Sequence, residues 1–240
     1  MKTYAYTDVG RQRNENQDSV FTSDDPIGNL PNLYIVADGM GGHAGGRYAS
    51  NCAVSTVTQA IKNVSLEEPV QILEHAIQNA NQQILEEAAT IEHMSGMGTT
   101  IVASTIVNGV LYAANVGDSR LYIVNENRIR QITKDHSLVE EMIRIGEIDR
   151  ENAKHHPDKN VITRAVGAMD ELKIDFFEIP ITKGDLILMC SDGLSNMVED
   201  NQMVSILNDT NDLKSKVEQL VQVANENGGE DNITVIVIES

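Results

Sequence analysis

Tryptophan is absent from this 240-residue sequence, and aromatic residues are limited to three Phe and six Tyr. A core without large rings has to rest on Ile, Val, Leu, Met and Ala. Two cysteines, Cys52 and Cys190, are too few for a disulfide framework or a Cys-rich zinc site. Cys190 closes the apolar run Leu186-Ile187-Leu188-Met189-Cys190, which reads as a buried, reduced thiol. Five scattered prolines and no Pro-, Gly- or Ser-rich stretch offer no interdomain linker, so one domain over residues 1–240 is the simplest reading. No apolar stretch is long enough to span a bilayer, and Met1-Lys2-Thr3-Tyr4 does not open a signal peptide. A cytoplasmic protein is expected. Basic residues are also scarce: 18 Lys and Arg stand against 36 Asp and Glu, a net charge of −18. That balance weighs against nucleic acid or an anionic membrane as partner, and is compatible with simple solubility or with cation binding.

What is present reads as mixed secondary structure. Leu33 to Ala37 and Leu186 to Cys190 are short apolar runs of strand type, and Ile233 to Ile238 is a β-branched one. Thr99 to Val107 and Val110 to Val116 flank Asn108-Gly109, the strongest short hairpin signal, because a type I′ turn needs positive φ at both central residues. Arg120 to Val124 and Arg128 to Ile132 follow, and four consecutive short strands imply a meander. Ala44 to Lys62 reads as a helix. Ser65-Leu66-Glu67-Glu68 has capping-box form ahead of Val70, Leu73, Ile77, Ala80, Ile84 and Ala88 at helical spacing. Further helices are expected over Ser137 to Ile145 and Leu213 to Glu226. This order suggests α+β rather than alternating α/β. The polar segment Asp135 to Val166 is a candidate surface flap, and its His155-His156 pair reads as either solvated or metal-binding.

The informative pattern is where the aspartates fall. Asp38-Gly39 ends one apolar run, and Asp192-Gly193 ends another. Asp118 follows the strand ending at Val116, Asp231 precedes the last strand, and Asp18 follows a charged loop. Each Asp-Gly is an ordinary turn on one reading. On the other, strands deliver several carboxylates to one edge, where they repel one another unless a cation neutralises them. Oxygen donors without Cys or clustered His favour Mg²⁺, Mn²⁺ or Ca²⁺ over Zn²⁺. The glycines in Asp38-Gly39-Met40-Gly41-Gly42-His43-Ala44-Gly45-Gly46 suggest a backbone passing close to something, such as a ligand or metal. They match neither a P-loop nor a dinucleotide fingerprint.

At these residues the chain resembles the protein phosphatase 2C family, also called PPM-type phosphatases. The match runs in order along nearly the whole sequence. It takes in Gly10 to Asp18, Asp38 to Gly46, Gly96 to Thr100, Asn115 to Arg120, Thr133 to Ser137, Thr163 to Gly167, Ser191 to Leu194, and Asp231 to Thr234. Gln17 stands where many relatives carry Glu. The resemblance implies a four-layer α-β-β-α sandwich, two antiparallel sheets flanked by helices. It implies two core Mn²⁺ or Mg²⁺ ions and a third beside them. Asp38 would bridge the two core ions, with Asp192 and Asp231 completing one site and the Gly39 carbonyl serving the other. Asp18 would act through water, and Asp118 with Asp192 would hold the third ion. Arg13 would grip the substrate phosphate, and residues 135–166 would form the variable flap.

The activity so implied is hydrolysis of phosphoserine and phosphothreonine in proteins by a metal-bridging water, as counterpart of a Ser/Thr kinase and with no covalent phosphoenzyme. His43 reads either as a general acid for the leaving alkoxide or as a residue that orders the glycine loop. Arg164 reads as a flap or ligand contact, or as half of an ion pair. Nothing in the sequence demands more than a monomer. A silent binding module would be expected to lack metal aspartates, which are all present. A two-metal nuclease fits clustered carboxylates but not the acidic composition.

Overall fold

In the computed structural model, residues 1–41, 44–91, 94–126, 128–154 and 156–240 are described. The chain opens with strands β1 (Lys2–Asp8), β2 (Asp18–Ser23) and β3 (Leu33–Met40), followed by helices α1 (Ala44–Asn63) and α2 (Pro69–Thr90). Next come β4 (Gly98–Thr99), β5 (Ile101–Val107), β6 (Val110–Val116), β7 (Arg120–Asn125) and β8 (Arg128–Gln131). Helices α3 (Leu138–Arg144) and α4 (Arg150–Lys154) lead to β9 (Asp175–Pro180) and β10 (Leu186–Cys190). The chain closes with α5 (Asp192–Ser195), α6 (Asp200–Leu207), α7 (Leu213–Glu226) and β11 (Ile233–Glu239).

Two antiparallel sheets result. One has the order β1-β11-β10-β7-β8; the other runs β2-β3-β5-β6-β9, with β4 paired to β3. Their facing sides share an apolar layer that includes Tyr34, Val36, Val102, Leu121, Ile187, Met189 and Ile236. Helices α1 and α2 cover the outer face of the β3 sheet, where Ala53, Val57, Leu73 and Ile77 meet Ile35, Ile101 and Ala103. Helices α6 and α7 cover the other sheet, where Met203, Leu207, Val217 and Leu220 meet Tyr122, Leu188 and Val235. The four layers are therefore helix, sheet, sheet, helix. In β11, Ile236 and Ile238 face the opposite sheet while Val235 and Val237 face the helices. A strand buried on both faces reads as a continuous apolar run for that reason.

Local sequence signals fare unevenly. Asn108 and Gly109 both have positive φ, 51° and 78°, and Val107 pairs with Val110 across the hairpin they form. The meander, however, does not exist. Strand β6 pairs with β5 and β9, whereas β7 pairs with β8 and β10 in the other sheet. The link Gly117-Asp118-Ser119 carries the chain from one sheet to the other, with Gly117 at φ +102°. Two hairpins in facing sheets carry the same local pattern as four strands in one. The capping box is also wrong: α2 starts three residues later, with Glu68 at the N-cap and Pro69 in the first turn. Proline's fixed φ and missing N–H suit that position, and outcompete the Ser65 signal. Strand β3 does not end at Asp38; it continues through Gly39 and Met40, which pair with Thr99 and Gly98.

Candidate metal centre

Strand register brings the aspartates to one end of the sandwich. Asp18 and Asp38 are directly opposed across β2 and β3. In the other sheet, Cys190 at the end of β10 pairs with Val235 near the start of β11 and with Arg120 at the start of β7. Asp192, Asp231 and Asp118 flank those three strand ends. A cleft of about 940 Å³ opens there, lined by Arg13, Gln17, Asp38, Gly39, Met40, Gly41, Thr100, Asp118, Asn160, Ile162, Asp192 and Asp231 among others. Asp18 lies buried beneath it.

The backbone that presents Asp38 is fully engaged. Its N–H donates to Thr100 Oγ1 at 2.9 Å, and its carbonyl accepts from Thr100 N and Thr99 Oγ1, both at 2.8 Å. Only the side chain is left for the cleft. Gly39 lies under the first turn of α1: a Cβ there would stand 2.0 Å from the Gly46 carbonyl oxygen. A Cβ on Gly46 would in turn meet the Gly39 carbonyl oxygen at 2.7 Å. At these two glycines the close neighbour is the chain itself. Gly193 plays the same part on the other sheet, where a Cβ would stand 2.1 Å from the Asn232 carbonyl oxygen. That contact sets α5, and with it Asp192, beside Asp231.

Burial and mutual repulsion dominate the electrostatics. Asp38 is held well above the usual carboxylate range, first by burial and then by the charges of Asp18, Asp192, Asp118 and Asp231. Burial raises Asp118 to about 8, with Asp192 and Asp135 adding to it. Asp18 is raised to about 7 and Asp192 to about 6, again chiefly by burial. Asp18 Oδ1 and Asp192 Oδ1 are buried without a hydrogen-bond partner among the described residues. Among those residues no three acidic, His or Cys side chains are grouped closely enough to hold one ion as they stand. The carboxylates instead converge on an open cleft. Buried, unpartnered carboxylate oxygens in an all-oxygen donor set fit hard divalent cations.

Arg13 reaches this group directly: its Nη2 donates to Asp231 Oδ2 at 2.7 Å, and its side chain is 54% exposed at the cleft mouth. The flap contributes Asn160 and Ile162 to the lining. His43, like His155, lies outside the described residues. His156 accepts from the Asp158 N–H and is not among the residues lining the cleft. Arg164 makes an ion pair with Asp175 at 2.8 Å. The Gly117 N–H donates to His136 Nδ1 at 3.0 Å, and the ring's Nε2 lies 3.2 Å from Asp175 Oδ2 and 3.0 Å from Arg164 Nη1.

The motifs contain the supporting residues, but the sequence assigned them no role. Thr100 and Ser119 share a buried hydroxyl contact of 2.7 Å behind Asp38. Asn232 accepts from Gln17 N at 2.8 Å and donates to the Val9 and Glu15 carbonyls, tying the Arg13 loop to the start of β11. Ser191 and Thr234 both donate to Asp18 Oδ2. Arg120 makes a forked pair with Asp135 and also donates to Tyr122. Most of these residues are next to a motif aspartate or one strand period away, the signal that was available.

Comparison with known proteins is consistent along the chain. The family model described as Protein phosphatase 2C matches residues 10–236. A serine/threonine phosphatase stp of Listeria welshimeri is 44% identical over 239 residues, covering 97% of this chain and 93% of the relative. The structure of the S. agalactiae serine/threonine phosphatase superimposes with a TM-score of 0.92 at 34% identity, covering 99% of this chain and 98% of that one. The catalytic domain of the serine threonine protein phosphatase PstP, solved in complex with two manganese ions, gives a TM-score of 0.87 at 30% identity, covering 98% and 96%.

Proposed function

This chain belongs to the protein phosphatase 2C family and is a serine/threonine protein phosphatase, and from that premise we propose that it hydrolyses phosphoserine and phosphothreonine with divalent cations held by its clustered aspartates. The observation that carries this reading is the convergence of Asp38, Asp118, Asp192 and Asp231 on one cleft above buried Asp18.

Asp38, Asp192 and Asp231, with the Gly39 carbonyl, would hold two Mn²⁺ or Mg²⁺ ions; Asp118 with Asp192 would hold a third, and Asp18 would act through water. When bound, the ions lower the pKa of the attacking water and offset charge on the phosphoryl oxygens. Arg13 binds the phosphate at the cleft mouth, where its planar donor fork matches two phosphoryl oxygens. Asn160 and Ile162 make the flap side of the entrance, within a single phosphatase domain whose flap is residues 135–166. His43 is the candidate to protonate the leaving alkoxide. Cys190 is no nucleophile: burial pushes its thiol up to about 12. With a net charge of −18 on the protein, phosphate binding depends on local cations as much as the chemistry does. The substrates are phosphorylated proteins, and a Ser/Thr kinase supplies them. No helix among the described residues is long and apolar enough to cross a membrane. We place the enzyme in the cytoplasm, as a monomer.

The test is phosphate release from a phosphothreonine peptide. Activity is expected with Mn²⁺, none in excess chelator, and none in Asp38→Asn or Asp192→Asn proteins that remain folded by circular dichroism. Full activity in chelator would overturn the proposal.

A further inference from the structure

Behind Asp18 lies a closed ring of hydrogen bonds whose direction follows at every link when the Asp18 carboxylate is ionised. Asp18 N–H donates to Asn16 Oδ1 at 3.1 Å, which turns the Asn16 amide so that Nδ2 donates to Thr7 Oγ1 at 2.8 Å. Thr7 and Thr234 are register partners across β1 and β11, with hydroxyl oxygens 2.7 Å apart. Thr234 Oγ1 lies 2.6 Å from Asp18 Oδ2 and donates to it. A hydroxyl has one proton, and Thr234 spends its own on the carboxylate. Thr7 must therefore be the donor to Thr234, and it accepts from Asn16. A second donor arrives from the far side: Ser191 Oγ accepts the Thr234 N–H at 3.0 Å and donates to the same Asp18 Oδ2 at 2.7 Å. Thr234 and Ser191 are fully buried. Oδ2 thus has two hydroxyl donors, whereas Oδ1 is buried with no partner among the described residues.

We infer that Thr234 and Ser191, with Thr7 and Asn16 behind them, are positioning residues that lock Asp18 through Oδ2 and reserve Oδ1 for the divalent-cation site. The inference rests on the metal-centre reading above. The ring does two things a lone aspartate would not. It fixes the carboxylate rotamer against the repulsion of Asp38, directly opposite in the sheet. It also supplies only donors to Oδ2, an arrangement that favours the charged, ligating form of the side chain. Thr7, Ser191 and Thr234 come from the sheet of β1, β11 and β10, and Asn16 from the Arg13 loop, so the carboxylate of Asp18 on β2 is held mainly from the opposite sheet.

The experiment is Mn²⁺ titration of the metal-free full chain by calorimetry, with thermal denaturation of each variant alongside. Thr234→Val keeps the shape and removes the donor. It is expected to bind Mn²⁺ about 10-fold more weakly, the usual loss when a group orienting a metal ligand is removed. Thr234→Ser restores the donor and is expected to recover most of that affinity, which a purely steric role for Thr234 would not predict. Ser191→Ala removes the second donor independently and is read by the same criterion if Thr234→Val does not fold. Wild-type affinity in Thr234→Val, or equal losses in Thr234→Val and Thr234→Ser, would overturn the inference while leaving the metal centre intact. A wild-type chain that takes up no Mn²⁺ would remove the metal centre itself.

Discussion

Asp18 and Asp38 face one another as register partners across β2 and β3. Like charges directly opposed on a sheet are destabilising, and burial strengthens the effect. The raised carboxylates mean that the folded, metal-free chain holds protons that the unfolded chain releases. The sign follows: stability is lost as pH rises through the interval between the unfolded values near 4 and the folded values of about 6, 7 and 8 for Asp192, Asp18 and Asp118. The melting temperature of metal-free protein is expected to fall between pH 5 and 8 in thermal scans. Saturating Mn²⁺ is expected to raise it and flatten that slope, since a ligand bound only by the folded state stabilises it. A slope unchanged by Mn²⁺ would contradict this account.

Arg13 already bonds to Asp231 at the cleft mouth. Arg13→Ala is expected to lower kcat/KM on a phosphothreonine peptide about 10- to 100-fold, the range for losing a charged hydrogen bond. Arg13→Lys should recover only part of it, because an ammonium does not reproduce the fork. Steady-state kinetics at fixed Mn²⁺ checks both.

Gly193→Ala puts a methyl group 2.1 Å from the Asn232 carbonyl oxygen. Overpacking of this kind costs about 1–3 kcal/mol. The strain falls between Asp192 and Asp231, so Mn²⁺ affinity is expected to fall along with stability. Denaturant melts and calorimetry measure the two effects separately.

Arg120 and Asp135 form a largely buried pair, with Nη2 and Oδ2 2.6 Å apart. Removing one partner strands the other, at a cost of about 3–5 kcal/mol. Asp135→Ala is expected to unfold at markedly lower denaturant concentration than wild type. The double change Arg120→Met with Asp135→Leu should be milder than either single change, because neither charge is then left alone.

Legibility in the sequence followed the range of the interaction. The Asn108-Gly109 turn, helix α7 and the apolar strand β10 carry their own local signals, and the sequence reading located them. Strands β1 and β2 carry no such signal, because Lys2–Asp8 and Asp18–Ser23 show neither regular alternation nor an apolar run of four residues. The false meander arose because strand type is local while sheet membership is not. The aspartates were visible through their motifs, and the resemblance supplied their roles. Ser191 and Thr234 were visible as motif members, but their link to Asp18 was not: they lie 173 and 216 positions from it, and no periodicity connects them. The meaning of the glycines was only half legible. The run of glycines suggested a backbone close to something such as a ligand or metal, and at Gly39 the structure places Gly46 there.

The apolar layer between the sheets has a chemical consequence. One sheet carries Asp18 and Asp38, the other Asp192 and Asp231, and side chains such as Val36, Val102, Met189 and Ile236 are the spacer between them. Under the proposed metal centre neither sheet alone carries the full set of carboxylates, so cation binding would require the two slabs to dock. On that reading, trimming Ile236 to Val in this layer would alter the spacing of the two carboxylate groups, and interior packing becomes a dial on cation affinity.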